Sequence, residues 1–542
     1  MGLLAANQLL GLAAPLLVKV AIDNGITPGR TDVLWAVGLV GLFVYALAAL
    51  TKFGGVWYSV KASEDLWEDL RNRVFGHVQK LPLRELKNRQ VGGLVARVYG
   101  DTYQIKQLIS SVLPAAINLV IGVGGAAVIL LVLAPQLVFL AILPVPIGLL
   151  VMAWFRKYVR PLSKERMERH GDLYSALHEG LAGAQEARIL EAEEEIRSEV
   201  YGKGRSLKET DLRLAWHRSR LGPMADFGIS LLLLGTLVVG GQMAIAGTLS
   251  VGTVVVFYFY VGRCLGPVRA IPGMVYSWHS ARAAMERVEG LLEIEAEIIE
   301  GETSGDPAPG PIGVDLKGVN FSYGPGNQAL DRFSLTLDGG ERVAILGPSG
   351  VGKSTTATLL LRLMDRDEGS LLLQGVDLKE WPLEDLRRRV GVVGQEVFLF
   401  HGSLRRNLVL GLHREVEDRE LWAALQAAGA KSWVEEHPEG LDLDVGPKGG
   451  KLSGGQKKRV ALARTLLRSP DLLIVDQMAT DLEERLNEAI FEELRRQGLT
   501  LIYFGHRVPR GLEPSKVYWM EGGRLRLYTP GEYERPLLGS DE

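Results

Sequence analysis

Long apolar runs crowd the first 290 residues, and short strand-like and amphipathic stretches fill the rest. A membrane-spanning helix needs about 20 mostly apolar residues. Six stretches qualify, at about 2–22, 34–57, 113–134, 136–155, 224–246 and 249–270. Leu113–Trp154 contains no charged residue, and neither does Phe227–Val261. A soluble core helix is rarely apolar on all sides for so long. The pattern predicts a six-helix, all-α transmembrane domain over 1–292. Residues 293–312 break the pattern with a Glu-rich stretch and Thr303-Ser304-Gly305-Asp306-Pro307-Ala308-Pro309-Gly310-Pro311, a linker composition. Residues 313–542 read as a soluble α/β domain.

The connections between spans orient them. Asn24–Arg30, the turn at Pro135 and Ala246-Gly247-Thr248 are short. The connections at about 58–112 and 156–223 are long, charged and helical in pattern, so that each extends two membrane helices beyond the bilayer. Lys52, Lys61, Arg156, Lys157, Arg160, Arg218 and Arg220 gather near their ends, and basic residues beside spans favour the cytoplasmic side. The long connections, and the C-terminal domain after the sixth span, are therefore expected in the cytosol, with the chain multi-pass in the cytoplasmic (inner) membrane. The expected turns are Val91-Gly92-Gly93-Leu94 and Glu179-Gly180-Leu181-Ala182-Gly183. Pro15, Pro114, Pro144 and Pro146 lie in spans, where proline kinks a helix. Lys19 and Asp23, four apart, read as a local helix pair. No conspicuous charge cluster marks mid-membrane depth, so no proton relay is expected.

The net charge of −3 offers no basic surplus to neutralise phosphates, which argues against a nucleic-acid partner. The single cysteine, Cys264, excludes an intrachain disulfide and suits a reducing cytosol. Leu3–Val18 has neither a basic lead-in nor a small-residue cleavage site, so it is not read as a signal peptide.

The soluble half carries the chemistry. A strand-like Val343-Ala344-Ile345-Leu346 enters Gly347-Pro348-Ser349-Gly350-Val351-Gly352-Lys353-Ser354, and a helix is expected from Thr355. This is a complete phosphate-binding loop. Its glycines let backbone N–H groups close on phosphate oxygens, and the helix N-terminus adds partial positive charge. Lys353 is expected on the β/γ-phosphates of ATP and the Ser354 hydroxyl on Mg2+. Leu472-Leu473-Ile474-Val475-Asp476 is an apolar strand ending in the carboxylate that Mg2+ requires.

Between them stands Leu452-Ser453-Gly454-Gly455-Gln456. A phosphate loop, this pentapeptide and a strand-borne aspartate in that order resemble the ABC ATPases. With six spans and two long inner connections ahead of them, the whole chain resembles an ABC exporter half-transporter. Leu70–Phe75 with Leu81-Pro82-Leu83, and Ala283–Val288, are similar to further stretches of that family. The resemblance implies that Tyr323 stacks on adenine and that His506 is the switch histidine near the γ-phosphate. It implies that Gln395 senses Mg2+ and faces the membrane domain. It also implies a second half-transporter as partner, with Leu452–Gln456 closing in trans over the partner's ATP. Closure of that sandwich would pull on the inner turns and move a substrate through the bilayer, in contact with membrane lipids.

The chain departs from the family pattern at Gln477, where active members carry the glutamate that polarises the attacking water. A carboxylate accepts a proton and a neutral amide does not. Thr480-Asp481-Leu482-Glu483 and Pro447 also differ from the usual residues. Two explanations compete: a naturally degenerate half of a heterodimer, or a homodimeric exporter with Gln477 engineered to trap ATP. The flanking changes favour the first. A regulatory, channel-like ABC protein is a further alternative, disfavoured because 293–312 holds no regulatory insert. Family members usually place a short interfacial helix before the first span, and here the span starts almost at Met1, so that helix is absent or the start is trimmed. The substrate class stays open among hydrophobic drugs, lipids and peptides.

Overall fold

The computed structural model describes residues 1–137, 153–294, 310–324, 326–477 and 484–528. Contacts divide the chain into two compact units, Met1–Gly76 with Leu94–Glu293, and His77–Gly93 with Ile294–Glu542.

The first unit is helical. Helix α1 (Gly2–Val20) contains Pro15 and ends in a wide turn, Ala21–Ile26. Helix α2 (Thr31–Lys80) has 50 residues. A short α3 (Leu83–Asn88) follows, then the long run α4 (Val91–Leu133), widened at Ala96–Asp101, Leu108–Val112 and Asn118–Val123. Next come α5 (Arg160–Ala182), α6 (Ala184–Ile189), α7 (Glu193–Ile245) and α8 (Val251–Leu292). Five of the six expected spans are thus helical, and the fourth falls mostly on 138–152, outside the described residues. Helix α7, at 53 residues, is about 80 Å long, far more than the roughly 30 Å apolar slab, so it continues well beyond the membrane. The apolar window of α2 is unburied within the chain, as suits a helix whose solvent is lipid tails. Leu12, Ala126, Leu130, Leu232, Phe257 and Tyr260 join α1, α4, α7 and α8 in one core.

The two inner turns fall elsewhere than the glycine pairs suggest. Pro82 supplies no N–H and disfavours helix in the residue before it, so α2 stops at Lys80. The reversal then runs from Leu81 to Gln90 around α3, and Val91-Gly92-Gly93-Leu94 opens α4 as helix. The second reversal starts at Gly183, inside the expected stretch, and runs through α6 to Ala192. Lys19 does pair with Asp23, at 2.7 Å. Asp23 also accepts from Ser250 Oγ at 2.6 Å and from Gly252 N at 2.9 Å, and so caps α8 as well.

The second unit has two sheets. Strands β1 (Val314–Ser322), β2 (Gln328–Leu337), β4 (Glu368–Leu373) and β5 (Val376–Asp377) form an antiparallel sheet ordered β2-β1-β4-β5. The other is ordered β10-β9-β3-β8-β7-β6, from β3 (Arg342–Leu346), β6 (Val390–Val393), β7 (Leu472–Asp476), β8 (Thr500–Gly505), β9 (Lys516–Glu521) and β10 (Arg524–Leu527). All but β10 run parallel. Their unbroken burial explains runs such as Leu472–Val475, since a parallel sheet is covered on both faces. Helices α9 (Lys353–Leu360) and α10 (Leu383–Arg389) follow β3 and β5. Helices α11 (Leu404–Val409), α12 (Asp418–Ala427), α13 (Lys431–Glu435) and α14 (Gly454–Leu466) come between β6 and β7, and α15 (Glu484–Arg496) precedes β8. Leu83 of α3 packs on the core formed by β1, β2 and their neighbours.

Candidate nucleotide site

Strands β3, β8 and β7 lie side by side, with Leu346 opposite Gly505 and Asp476 opposite Phe504. Their C-terminal ends therefore bring the loop after β3, the residues after β7 and those after β8 to one edge. Ligands bind at such edges in open α/β sheets.

The loop Gly347–Gly352 turns back on itself before α9. Gly352 has φ 109°, and a Cβ there would stand 2.4 Å from the Ala329 carbonyl oxygen. Only glycine is tolerated at that crossing. Gly350 also has a left-handed φ of 82°. Lys353 folds across the loop and donates to the carbonyls of Gly347 at 2.6 Å and Pro348 at 2.7 Å. The lysine is only 5 % exposed. Burial pulls its pKa below the ordinary lysine value, an effect larger than the opposing pull of Asp476. A buried ammonium with one partly distant carboxylate is suited to a multiply charged anion.

Ser354 donates its hydroxyl to Asp476 Oδ2 at 2.5 Å, so two of the three residues expected at Mg2+, the third being Gln395, are already together. Among the described residues no three His, Cys, Asp or Glu side chains cluster as a metal cage. A hard cation at Ser354 and Asp476 would thus need phosphate oxygens or water to complete its shell, the usual habit of Mg2+.

Gln477 follows with a left-handed φ of 51°. Its N–H donates to Phe504 O at 2.9 Å, and its side-chain amide lies 3.2 Å from His506 Nε2. Lys458 donates to the Gln477 carbonyl. Tyr323 places its hydroxyl 3.1 Å from Thr355 Oγ1 and packs edge-on to Phe321, beside α9. Ser349 and Val351 complete the loop, Ser349 exposed and Val351 packed on the sheet core. Gln395 is exposed on the loop two residues past Val393, whose strand partner is Val475. The parallel sheet therefore assembles Gly347–Thr355, Asp476, Gln477 and His506, and Tyr323, just after β1 of the antiparallel sheet, joins them through Thr355. Thr480–Glu483 lie outside the described residues.

Leu452 is buried, and Ser453 caps α14: its Oγ accepts from Gln456 N at 3.2 Å while Gln456 Oε1 accepts from Ser453 N at 2.9 Å. This reciprocal cap leaves Ser453 and Gly454 exposed at a helix N-terminus. Pro447 opens a short turn, Pro447–Gly449, just before it.

Two family profiles match this chain: "ABC transporter transmembrane region" over residues 1–268 and "ABC transporter" over residues 330–480. The chain belongs to the ABC transporters. A membrane region is fused in one chain to the ABC ATPase domain, which makes this transporter a multi-pass membrane protein that binds ATP. It is 26 % identical over 539 residues to a "Multidrug resistance ABC transporter ATP-binding and permease protein" of Lactococcus lactis subsp. lactis (strain IL1403), covering 97 % of this chain and 88 % of that protein. It is 29 % identical over 516 residues to an "ATP-dependent lipid A-core flippase" of Thiobacillus denitrificans (strain ATCC 25259 / T1), covering 94 % and 88 %. The solved "Structure of a bacterial Atm1-family ABC exporter with ATP bound" shares the fold at a TM-score of 0.79 and 24 % identity, over 96 % of this chain and 92 % of that one.

Sequence reasoning missed Lys458 in this ABC transporter. Burial lowers its pKa despite the nearby Asp476 carboxylate. Nothing in Gln456-Lys457-Lys458-Arg459 distinguishes it from a solvated lysine. Only the packing of α14 beneath the end of β7 brings it to Gln477.

Proposed function

We propose that this chain is one half of a dimeric ABC exporter, using ATP to move a hydrophobic or amphipathic substrate (drug, lipid or peptide) out across the cytoplasmic membrane. The relatives named for multidrug resistance and lipid A-core flipping support that reading, as does the shared exporter fold. Gly347–Thr355 and Tyr323 would hold ATP, and Ser354, Asp476 and Gln395 would hold Mg2+, which supplies the charge neutralisation that phosphoryl transfer needs. Leu452–Gln456 would serve the partner's nucleotide in trans.

The chain's own site is read as one that retains ATP and turns it over slowly, in a heterodimer. Gln477 carries this reading. It sits directly after Asp476 with its amide against His506, where a carboxylate would orient and deprotonate water. Loss of a positioned general base costs roughly 10²–10⁴ in rate. The test is ATP turnover by the purified full-length chain, alone and with its native partner. Slow turnover alone, and fast turnover only with a partner bearing glutamate at the matching position, is expected. Fast hydrolysis by a homodimer of this chain would remove the degenerate-site reading.

A further inference from the structure

Arg263 lies on α8 about 18 Å from its start at Val251. The apolar core of a bilayer is about 30 Å thick. The guanidinium is therefore near mid-membrane depth, where an ionisable group is costly and ordinarily paired. Its contacts lead to α1: Nη1 donates to Gly11 O at 2.9 Å and Nη2 to Gln8 Oε1 at 3.2 Å. Gly11 makes the approach possible, since a Cβ there would stand 2.6 Å from Nη2. A guanidinium has five N–H donors, and this one meets no carboxylate among the described residues.

The surroundings add further polar groups at the same depth. Gln8 Oε1 and Asn118 Oδ1 both lie over Gly122 of α4, at 3.3 and 2.8 Å from where its Cβ would stand. No protein acceptor takes the amide N–H groups of Gln8 or Asn118 among the described residues. Three helices thus bring one unneutralised cation and two amides with donors to spare to one place in an apolar bundle. A structural tie from α8 to α1 would need only the bond to Gly11.

We propose that Arg263, Gln8 and Asn118 form a binding site for the anionic headgroup, phosphate or carboxylate, of an amphiphile. This rests on the reading that the chain moves an amphipathic substrate, and it specifies that substrate's charge. The headgroup supplies the missing counter-anion through charge-assisted hydrogen bonds, and its tails stay among the spans.

The test uses the full chain in maltoside micelles, with fluorescently labelled phosphatidic acid and the diacylglycerol of the same chains as probes, read by anisotropy. The wild type is expected to bind phosphatidic acid about tenfold more tightly than diacylglycerol. Arg263→Gln should abolish that preference and leave diacylglycerol binding unchanged, while Arg263→Lys retains most of it. Equal wild-type binding of both probes overturns the site and leaves the amphiphile reading standing; binding of neither overturns both. A preference that survives Arg263→Gln, or displacement of phosphatidic acid by an equal concentration of inorganic phosphate, also overturns it. Should Arg263→Gln fail to fold, Gln8→Ala carries the test, because it leaves the bond to Gly11 in place. An undiminished preference in Gln8→Ala then counts against the site.

Discussion

Lys458 donates its ammonium to the main-chain carbonyl of Gln477, a residue 19 positions further along the chain. Gln477 has a left-handed φ of 51°, a conformation that costs a side-chain-bearing residue about 1 kcal/mol or more and needs support from its surroundings. The lysine on α14 and the strand partner Phe504 O hold that backbone from two sides. In a Gln477→Glu background the introduced carboxylate should raise ATP turnover at this site by at least about tenfold. Adding Lys458→Ala should remove much of that gain, because a hydrogen bond to a charged donor is worth about 1.5–3 kcal/mol. Turnover of the single and double variants, each assembled with the native partner, checks this. Equal rates would show that the lysine does not position residue 477.

Gly352 and Lys353 separate folding from binding at the loop. Gly352→Ala drives a methyl into the Ala329 carbonyl at a φ of 109°, so the nucleotide domain should lose about 1–3 kcal/mol even without nucleotide. Lys353→Ala removes two hydrogen bonds to loop carbonyls but also the cost of burying a cation, and these oppose each other, so it should change the stability of the apo domain by less than about 1 kcal/mol. ATP at about a hundred times Kd stabilises a binding-competent domain by about 2.7 kcal/mol. Lys353→Ala should lose most of that. Thermal unfolding with and without ATP and Mg2+ distinguishes the two effects.

These contrasts mark what the sequence could reveal. The phosphate loop was legible because a tight anion cradle demands glycine at fixed spacing, and the five apolar runs that the described residues show as helix were legible because bilayer thickness sets their length. Asp476 was legible as the carboxylate that ends an apolar strand, and Gln477 only through the resemblance to the ABC ATPases, whose active members carry glutamate there. The turn at Leu81–Gln90 was misplaced because Gly92 and Gly93 drew attention from Pro82, which ends the helix. Arg263 escaped notice because a single cation in a span reads as ordinary until its contacts with Gln8 and Gly11 are seen. Asp23 was read as a local partner of Lys19, whereas its bonds to Ser250 and Gly252 close a separation of more than 220 residues. Contacts of that range leave no local pattern.

Arg287 on α8 grips Asp101 on α4 with two hydrogen bonds, at 2.6 and 2.9 Å. Asp101 is 7 % exposed, whereas the arginine side chain is 46 % exposed. Breaking a fully buried pair costs about 3–5 kcal/mol, and exposure of one partner reduces that, so Arg287→Ala should cost about 1–2 kcal/mol. Arg287→Lys should recover only part, because an ammonium cannot reproduce the forked geometry. Asp101→Asn with Arg287→Met should be milder than Arg287→Ala alone, since no buried charge is left unpaired. Unfolding of the solubilised chain followed by circular dichroism orders the three variants, and an Arg287→Ala chain as stable as wild type would show that the pair contributes nothing.

Asp23 makes the corresponding tie at the short loop between the first two spans. Its carboxylate takes Lys19 Nζ, Ser250 Oγ and the Gly252 N–H, so the start of α8 is capped from α1. Gly252 permits the approach, as a Cβ there would lie 2.6 Å from Asp23 Oδ1. An N-cap oxygen is worth about 0.5–2 kcal/mol, and its loss should fray the first turn without unfolding the helix. Asp23→Ala should therefore accelerate amide hydrogen exchange locally, about 2- to 30-fold at Gly252–Val254. Exchange around Phe257 and Tyr260, deeper in the same helix, should stay at the wild-type rate, because their protection comes from the packed core rather than the cap. Gly252→Ala should give the same local pattern with Asp23 intact, by pushing the carboxylate off the helix end. Uniform acceleration along all of α8 would mean that Asp23 supports the bundle as a whole and not this helix terminus.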